Sequence, residues 1–165
     1  MRAYAFLGEA LRAYQGAVVD VLRARGFDLE PLEEGALADL PAIAAGPPAL
    51  LFLCGLPFVR THDAGLPFQP LAAPVAAAAP DDPPGYRSVL LARPGLAGTS
   101  LADLHGARLA INGRDSMSGW VLPVGMGLPL ERFAEIAPTG AHVRSMDLLL
   151  REEADAAPID SMLLA

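Results

Sequence analysis

Short apolar runs alternate with helical segments along this chain, and this alternation restricts its fold more than any other feature. A continuous apolar run such as residues 50–54 is typical of a strand covered on both faces. Strands that alternate with helices favour an α/β fold with mostly parallel sheets. The predicted strands are residues 3–7, 27–32, 50–54, 88–92, 108–112, 133–137 and 156–159.

The helical signal is clearest between the first two predicted strands. Apolar side chains recur at helical spacing through residues 9–25, and Gly26 follows where a left-handed cap is expected. Shorter helices are predicted at residues 37–43, after the capping-box pair Ser100 and Asp103, from residue 116, and at residues 141–154 with Val143, Met146 and Leu150 on the inner face.

Residues 61–86 differ from the rest because they are rich in proline and alanine. We interpret this stretch as an edge strand followed by a connector between two lobes. The predicted organisation is a first lobe with its connector at residues 1–83 and a second lobe at residues 84–165.

Composition excludes several classes of function. Hydrophobic residues make up 53% of the 165 residues, so the chain can bury a core and is not disordered. A formal net charge of -7 argues against a nucleic-acid partner, because no positive field faces the phosphates. It still allows a small anion, which a few oriented amide groups can hold.

No cofactor or metal site is predicted. The single cysteine, Cys54, is expected to be a small buried residue at the end of a strand. His62 and His105 have no partner at metal-ligand spacing, and no phosphate-binding or dinucleotide-binding motif occurs. Neither a membrane span nor a secretion signal is apparent, so the chain is either cytoplasmic or separated from an export segment.

The first candidate site is the loop after the strand at residues 108–112. Ser116, Ser118 and Gly119 begin the following helix, with Ser118 as the expected N-cap. Backbone N–H groups at a helix start lack intrahelical partners and attract anions. Arg114 lies inside the loop and is the best-placed cation. The alternative is an ordinary serine-capped helix.

The second candidate site follows the strand at residues 133–137. Thr139 and Gly140 lead into a helix that begins near His142, so this turn predicts a second group of free amides. A surface turn with an exposed histidine is the alternative. Because both loops follow the carboxyl ends of strands, where ligands of open α/β sheets collect, we expect them to converge.

A family resemblance rests on several short motifs in order. The runs are Tyr86-Arg87-Ser88-Val89-Leu90, Ser100-Leu101-Ala102-Asp103-Leu104, Arg108-Leu109-Ala110-Ile111-Asn112, Ser116-Met117-Ser118-Gly119, Thr139-Gly140-Ala141-His142 and Ile159-Asp160-Ser161. Together they resemble the second lobe of periplasmic substrate-binding proteins of the phosphate, phosphite and phosphonate type, which have the type 2 periplasmic-binding-protein fold.

The resemblance implies roles for individual residues. Ser116 and Ser118 would grip a phosphonate-like group, and His142 would cover it from the next helix. Asp160 would lie at the cleft near the crossover, and Tyr86 near the first crossover.

The sequence also departs from the family pattern. Ala141 replaces a small polar residue, and prolines and glycines between residues 123 and 129 interrupt a helix that usually runs longer. The chain stops soon after Ser161, where such proteins return to the first lobe. We therefore expect an incomplete first lobe with an exposed sheet edge that favours a homodimer.

The resemblance implies a non-enzymatic solute-binding protein that delivers a small oxyanion or phosphonate-like ligand to an ABC transporter permease. Its location would then be periplasmic or at the cell surface. A cytoplasmic enzyme on the same fold is an alternative, with His142 and Asp160 as its acid–base pair. A sensory domain that kept the fold and lost transport is another.

Overall fold

A computed structural model of the chain describes residues 1–73, 87–96 and 100–164. Strands and helices alternate in these ranges, which confirms the predicted α/β class. The strands are β1 (Arg2–Ala5), β2 (Leu32–Glu34), β3 (Ala49–Phe52), β4 (Ser88–Ala92), β5 (Arg108–Ile111), β6 (Glu135–Pro138) and β7 (Ala156–Asp160). The α-helices are α1 (Arg12–Ala24), α2 (Leu40–Ala44), α3 (Gly55–Asp63), α4 (Leu122–Gly125) and α5 (His142–Leu150).

The chain divides into two compact units, Met1–Leu71 and Ala72–Ala165. The predicted boundary between residues 83 and 84 lies within residues 74–86, outside the described part of the chain, and stays a prediction. No helix in the described ranges is both long enough and apolar enough to cross a membrane.

The first unit is built on a three-stranded parallel sheet in the order β2-β1-β3. One face packs against α1, where Ala3, Val19 and Leu29 form a small buried cluster. Gln15 of α1 is also fully buried, and its side-chain amide atoms have no hydrogen-bond partner among the described residues. The core of this unit is therefore small and contains a polar group, the amide of Gln15, that has no hydrogen-bond partner among the described residues.

The second unit has a four-stranded sheet in the order β4-β7-β5-β6, in which only β4 is antiparallel to its neighbour. Its two faces bury alternate residues, as the twofold period of a strand requires. Leu109 and Ile111 belong to one core cluster, whereas Ala110 and Ile159 pack with Leu149 of α5 on the other. Each fully buried branched side chain contributes about 1.5–3 kcal/mol of hydrophobic stabilisation.

An ion-pair network around Asp155 links the amino-terminal ends of β5 and β7. Asp155 accepts hydrogen bonds from Arg93 Nε at 2.8 Å, Arg108 Nε at 3.0 Å and the Arg108 backbone N–H at 2.8 Å. The guanidinium of Arg108 holds the pKa of Asp155 well below its usual range. Asp155 directly follows the helix predicted at residues 141–154, and no pattern in the sequence indicates this network.

Two element predictions in the first unit are wrong. Residues 27–31 are not a strand: Gly26 has a φ of +91°, and the Phe27 N–H donates to Leu22 O, so they cap α1. Strand β2 starts after Pro31, which has no N–H to give to a ladder. Helix α3 is not among the predicted helices, and its Pro57 lies in the first turn, where proline is tolerated.

Three further predictions need correction. Cys54 is exposed at the N-cap of α3 and is not a buried residue. No edge strand occurs in the described residues 64–73, and the rest of the predicted connector lies outside the described residues. Helix α5 ends at Leu150 and buries Ser145 and Leu149, whereas Val143 and Leu150 are exposed.

Candidate functional site

The candidate site lies in the second unit, at the carboxyl ends of β5, β6 and β7. After β5 the chain turns through residues 112–116 into a π-helical turn, Met117–Val121, that continues into α4. After β6 it turns through residues 139–141 into α5. Parallel strands end at one edge of a sheet, so the two turns are neighbours, as the sequence predicted.

Ser116, not Ser118, is the N-cap of the first turn. Its Oγ accepts a hydrogen bond from the Gly119 N–H at 3.0 Å and another from Asn112 Nδ2 at 3.3 Å. The Trp120 and Val121 N–H groups both reach the Ser116 carbonyl, which closes the wide π turn. The predicted N-cap at Ser118 is therefore wrong by two residues.

Gly119 is needed because the turn folds tightly against the end of β5. A Cβ atom at this position would lie 2.9 Å from Asn112 Cβ and 2.9 Å from Ser116 Oγ. The hydroxyl could rotate away, but Asn112 Cβ is fixed to the backbone of the strand end. Only glycine allows this approach without displacing its neighbours.

The second turn is fastened to the first through backbone hydrogen bonds. The Thr139 N–H donates to Ile111 O at 2.8 Å, and the Gly140 N–H donates to Asn112 O at 2.8 Å. Gly140 has a φ of +80°, a left-handed conformation that favours glycine. The end of β6 is thereby held to the end of β5.

The hydroxyl groups of Thr139 and Ser145 contact each other and stabilise the second turn. Ser145 is fully buried, and its Oγ lies 2.8 Å from Thr139 Oγ1. Thr139 Oγ1 also lies 2.9 Å from Ala141 O. These contacts fix the turn immediately before His142, so Thr139 has a structural role in addition to its predicted one.

Ser118 and His142 join the two turns directly. Ser118 is fully buried, and its Oγ lies 3.1 Å from His142 Nε2. The ring nitrogen accepts from or donates to the hydroxyl according to its tautomer. The structure thus brings together residues that are 24 positions apart and that the sequence assigned to two separate loops.

His142 has an unusual environment. Burial lowers its pKa below the ordinary value, and the nearby carboxylate of Asp160 opposes that shift. The carbonyl of Pro158 also favours the protonated ring, without meeting the geometry of a hydrogen bond to Nδ1. Nδ1 is buried and has no hydrogen-bond partner among the described residues. The ring is therefore biased towards its neutral form and has one unused nitrogen.

Backbone donors surround this pair. The N–H groups of Met117, His142, Val143 and Arg144 have no acceptor in the described parts of the chain. All four lie in the first turn of a helix, where N–H groups point out of the amino-terminal end and the helix dipole is positive. The site therefore presents N–H donors that have no acceptor among the described residues, beside a serine and a histidine.

Asp160 closes the site at the end of β7. Its Oδ1 accepts from the Met162 N–H at 2.9 Å, so the carboxylate caps a short 3₁₀ helix, Ser161–Leu163. Opposite it in the ladder is Ser88 of β4, whose hydroxyl donates to Ser118 O at 2.6 Å. Ser88 thus links β4 to the π turn, a role that the sequence did not reveal.

The remaining predicted residues lie at the rim or outside the described ranges. Arg114 is exposed and lies over the Trp120 ring, with its guanidinium carbon 4.5 Å from the ring centroid. Tyr86 lies outside the described residues. Sequence reasoning missed Arg144, whose Nη1 lies 3.4 Å from Thr139 O in the second turn. Its place in the first turn of a helix after the Thr-Gly pair was the available signal.

The fold defines the class of this protein. The chain is similar to the structure of PhnD1 from Prochlorococcus marinus in complex with methylphosphonate, with a TM-score of 0.72 and 15% sequence identity. The likeness covers 99% of this chain and 64% of that one, so the chain spans less than two thirds of the relative's length. The chain therefore has the type 2 periplasmic-binding-protein fold, as the sequence predicted.

The family follows from the sequence itself. A family model for the periplasmic substrate-binding proteins of phosphonate ABC transporters matches residues 40–165. No curated protein is significantly similar to the chain. The chain belongs to this phosphonate-binding family, which confirms the resemblance seen in the ordered motifs.

Proposed function

We propose that this chain binds a small phosphonate-like or related oxyanion for an ABC transporter. The observation that supports the proposal best is the contact between Ser118 and His142, 3.1 Å apart at the meeting point of two helix starts. Around that contact, backbone N–H groups have no acceptor among the described residues. A tetrahedral anion with several acceptor oxygens would satisfy such donors.

The chemistry of the site suits an anion despite the acidic chain. The formal net charge is -7, so attraction must come from local groups and not from the overall field. Each helix start contributes about 0.3–1 kcal/mol through its dipole, and hydrogen bonds to a charged oxygen add about 1.5–3 kcal/mol each. Arg144 and Arg114 at the rim would strengthen the local field.

Individual roles follow from the positions. The hydroxyl groups of Ser116 and Ser118, with the amide of Met117, would hold the anionic group from the first turn. Thr139 and Gly140 shape the second turn, and His142 would contact the anion from α5. Gly119 allows the first turn to pack closely against Asn112. Asp160 would position a polar part of the ligand, and the role of Tyr86 stays a prediction from the family resemblance.

The partner and location are proposed from the family. An ABC transporter permease would receive the ligand, and the protein would act in the periplasm or at the cell surface. PhnD1 was solved in complex with methylphosphonate, so methylphosphonate is the first ligand to test on this chain.

Isothermal titration calorimetry with methylphosphonate, phosphate, phosphite and sulfate tests the proposal. We expect one anion of the phosphorus series to bind, and Ser118→Ala to weaken it at least about tenfold, equivalent to about 1.4 kcal/mol. Ser100→Ala is the matched control, because it removes the N-cap hydroxyl of the 3₁₀ helix Leu101–Leu104, which precedes β5 in the same unit, whereas the site follows the carboxyl end of β5.

Two outcomes would contradict the proposal. Absence of binding by all four anions to folded protein would remove the assigned ligand class. Equal weakening by Ser118→Ala and Ser100→Ala would show that lost stability, and not a lost contact with the ligand, explains the effect.

A further inference from the structure

Asn112 contacts both turns of the candidate site. It is the first residue after β5. Its carbonyl accepts a hydrogen bond from the Gly140 N–H in the second turn at 2.8 Å, and its side-chain Nδ2 donates to Ser116 Oγ in the first turn at 3.3 Å. The amide side chain of Asn112 therefore starts from a backbone that the end of β5 and the second turn hold in place.

The backbone of Ser116 is held in place as well. Its N–H donates to Gly113 O at 3.1 Å, and its carbonyl accepts from the Trp120 and Val121 N–H groups, each at 3.1 Å. With both peptide groups engaged, the remaining freedom of Ser116 is rotation of its side chain and of its hydroxyl group.

The hydroxyl oxygen of Ser116 accepts two hydrogen bonds, one from Asn112 Nδ2 at 3.3 Å and one from the Gly119 N–H at 3.0 Å. A hydroxyl group has two acceptor lone pairs and one donor hydrogen. Because both lone pairs are engaged, the group can only donate in a further contact. Ser116 is half-buried, and among the described residues no acceptor takes that hydrogen.

We propose that Asn112 is a positioning residue that makes Ser116 a dedicated hydrogen-bond donor to the bound anion. The inference rests on the proposed function, in which Ser116 contacts the anionic group. A lone pair of Oγ would repel an anionic oxygen, whereas the hydroxyl hydrogen forms a charge-assisted hydrogen bond with it. A hydroxyl group that is oriented before the ligand arrives also avoids the cost of ordering it on binding.

A double-mutant cycle measured by calorimetric titration with the same four anions tests this role. We expect Ser116→Ala to raise the Kd at least about tenfold, and Asn112→Ala to raise it about three- to tenfold. Adding Asn112→Ala to Ser116→Ala should cause no further loss, because no hydroxyl group remains to be oriented. In the Ser100→Ala background Asn112→Ala should cause its full loss, since Ser100 caps the 3₁₀ helix Leu101–Leu104 instead.

Asn112→Asp separates orientation of the hydroxyl group from simple filling of space. The carboxylate has nearly the same shape but only accepts hydrogen bonds, so the Ser116 hydroxyl would donate to it and be lost to the ligand. We expect Asn112→Asp to weaken binding more than Asn112→Ala does. Charge repulsion causes part of that loss, and this part is measured separately because it persists in the Ser116→Ala background. Urea denaturation of each variant checks that the titrated protein is folded.

The outcomes distinguish this inference from the proposed function. If the wild type binds an anion and the losses of Asn112→Ala and Ser116→Ala are additive, this inference is overturned and the proposed function stands. Wild-type affinity in Asn112→Asp would overturn it as well, because an amide oxygen would then be the group that faces Ser116. Failure of the folded wild type to bind any of the four anions would overturn both.

Discussion

His142 combines three conditions that rarely coincide at one residue. Its side chain is half-buried, one nitrogen contacts Ser118 Oγ, and the other is buried with no partner among the described residues. Burial favours the neutral ring, and the carboxylate of Asp160 favours the charged one. Burial is the larger effect, so the net direction of the pKa is downward.

This direction gives a pH dependence of stability. A histidine in the unfolded chain has a pKa of about 6.5 and takes up a proton more readily than His142 in the folded protein. The unfolded state therefore binds more protons between that value and the lowered pKa. The free energy of unfolding should fall as the pH drops below about 6.5, and level off below the folded pKa.

Urea denaturation of the protein without ligand, between about pH 5 and about pH 8, measures this effect. His142→Gln should flatten the dependence in this range, because it removes the titrating ring and keeps a polar side chain of similar reach. His62→Gln is the matched control, since it makes the same substitution at a side chain that is 73% exposed. An equal change in both variants would contradict the assignment to His142.

At the residue scale the sequence identified side chains better than their contacts. Ser118 and His142 were chosen from their positions after strand ends, which a one-dimensional pattern reveals. The network of Asp155 was missed, because its partners Arg93 and Arg108 are 62 and 47 positions away. The unsatisfied side-chain amide of Gln15 was not predicted either, since helical periodicity gives no sign of a buried polar residue.

The π turn after β5 is the element that shapes the site. It is wider than an α-helical turn, and it brings Ser116 Oγ onto the Gly119 N–H while Ser118 faces α5. Helix α4 follows at once and is only Leu122–Gly125, which fits the predicted interruption by proline and glycine. The geometry of the π turn depends on a glycine at position 119.

Gly119→Ala should therefore damage both fold and binding. The added methyl group would meet Asn112 Cβ at 2.9 Å, and relieving that contact must move the strand end or the turn. Overpacking of this kind costs about 1–3 kcal/mol of stability. Anion affinity should fall as well, because the donors of the turn are displaced.

Gly125→Ala is the matched control for this prediction. Gly125 lies in α4, has no atom within 4 Å of an added Cβ and has no positive φ. Alanine there should be neutral or stabilise the protein by up to about 1 kcal/mol. Thermal denaturation and calorimetry of both variants measure the contrast, and equal losses at positions 119 and 125 would refute the steric argument.

The elements show where sequence patterns fail. Strands β4, β5 and β7 were predicted nearly to the residue, because each is an apolar run bounded by turn residues. Helix α3 was missed, since proline marks both a loop and the first turn of a helix. The inner face of α5 was misplaced because it includes Ser145, a polar residue whose burial depends on hydrogen bonding and which an apolar pattern does not reveal.

At the scale of the whole molecule the two units follow one plan with unequal completeness. Both place a strand order of second, first, third on a parallel sheet, but only the second unit adds an antiparallel strand. Alternation along the sequence predicts the shared plan. It does not predict which strand has a neighbour, because a partner strand can come from any part of the chain or from another copy.

Amide hydrogen exchange should reveal this inequality directly. Local stability rises with burial and with the number of ladder partners, so the slowest amides should lie in β5 and β7, whose buried residues pack on both faces of the sheet. Amides of β3 should exchange faster, because that strand is half-buried and, among the described residues, paired only with β1. Mass spectrometry with fragmentation to single residues measures the comparison. Exchange in β3 as slow as in β5 and β7 would contradict this ranking of local stability.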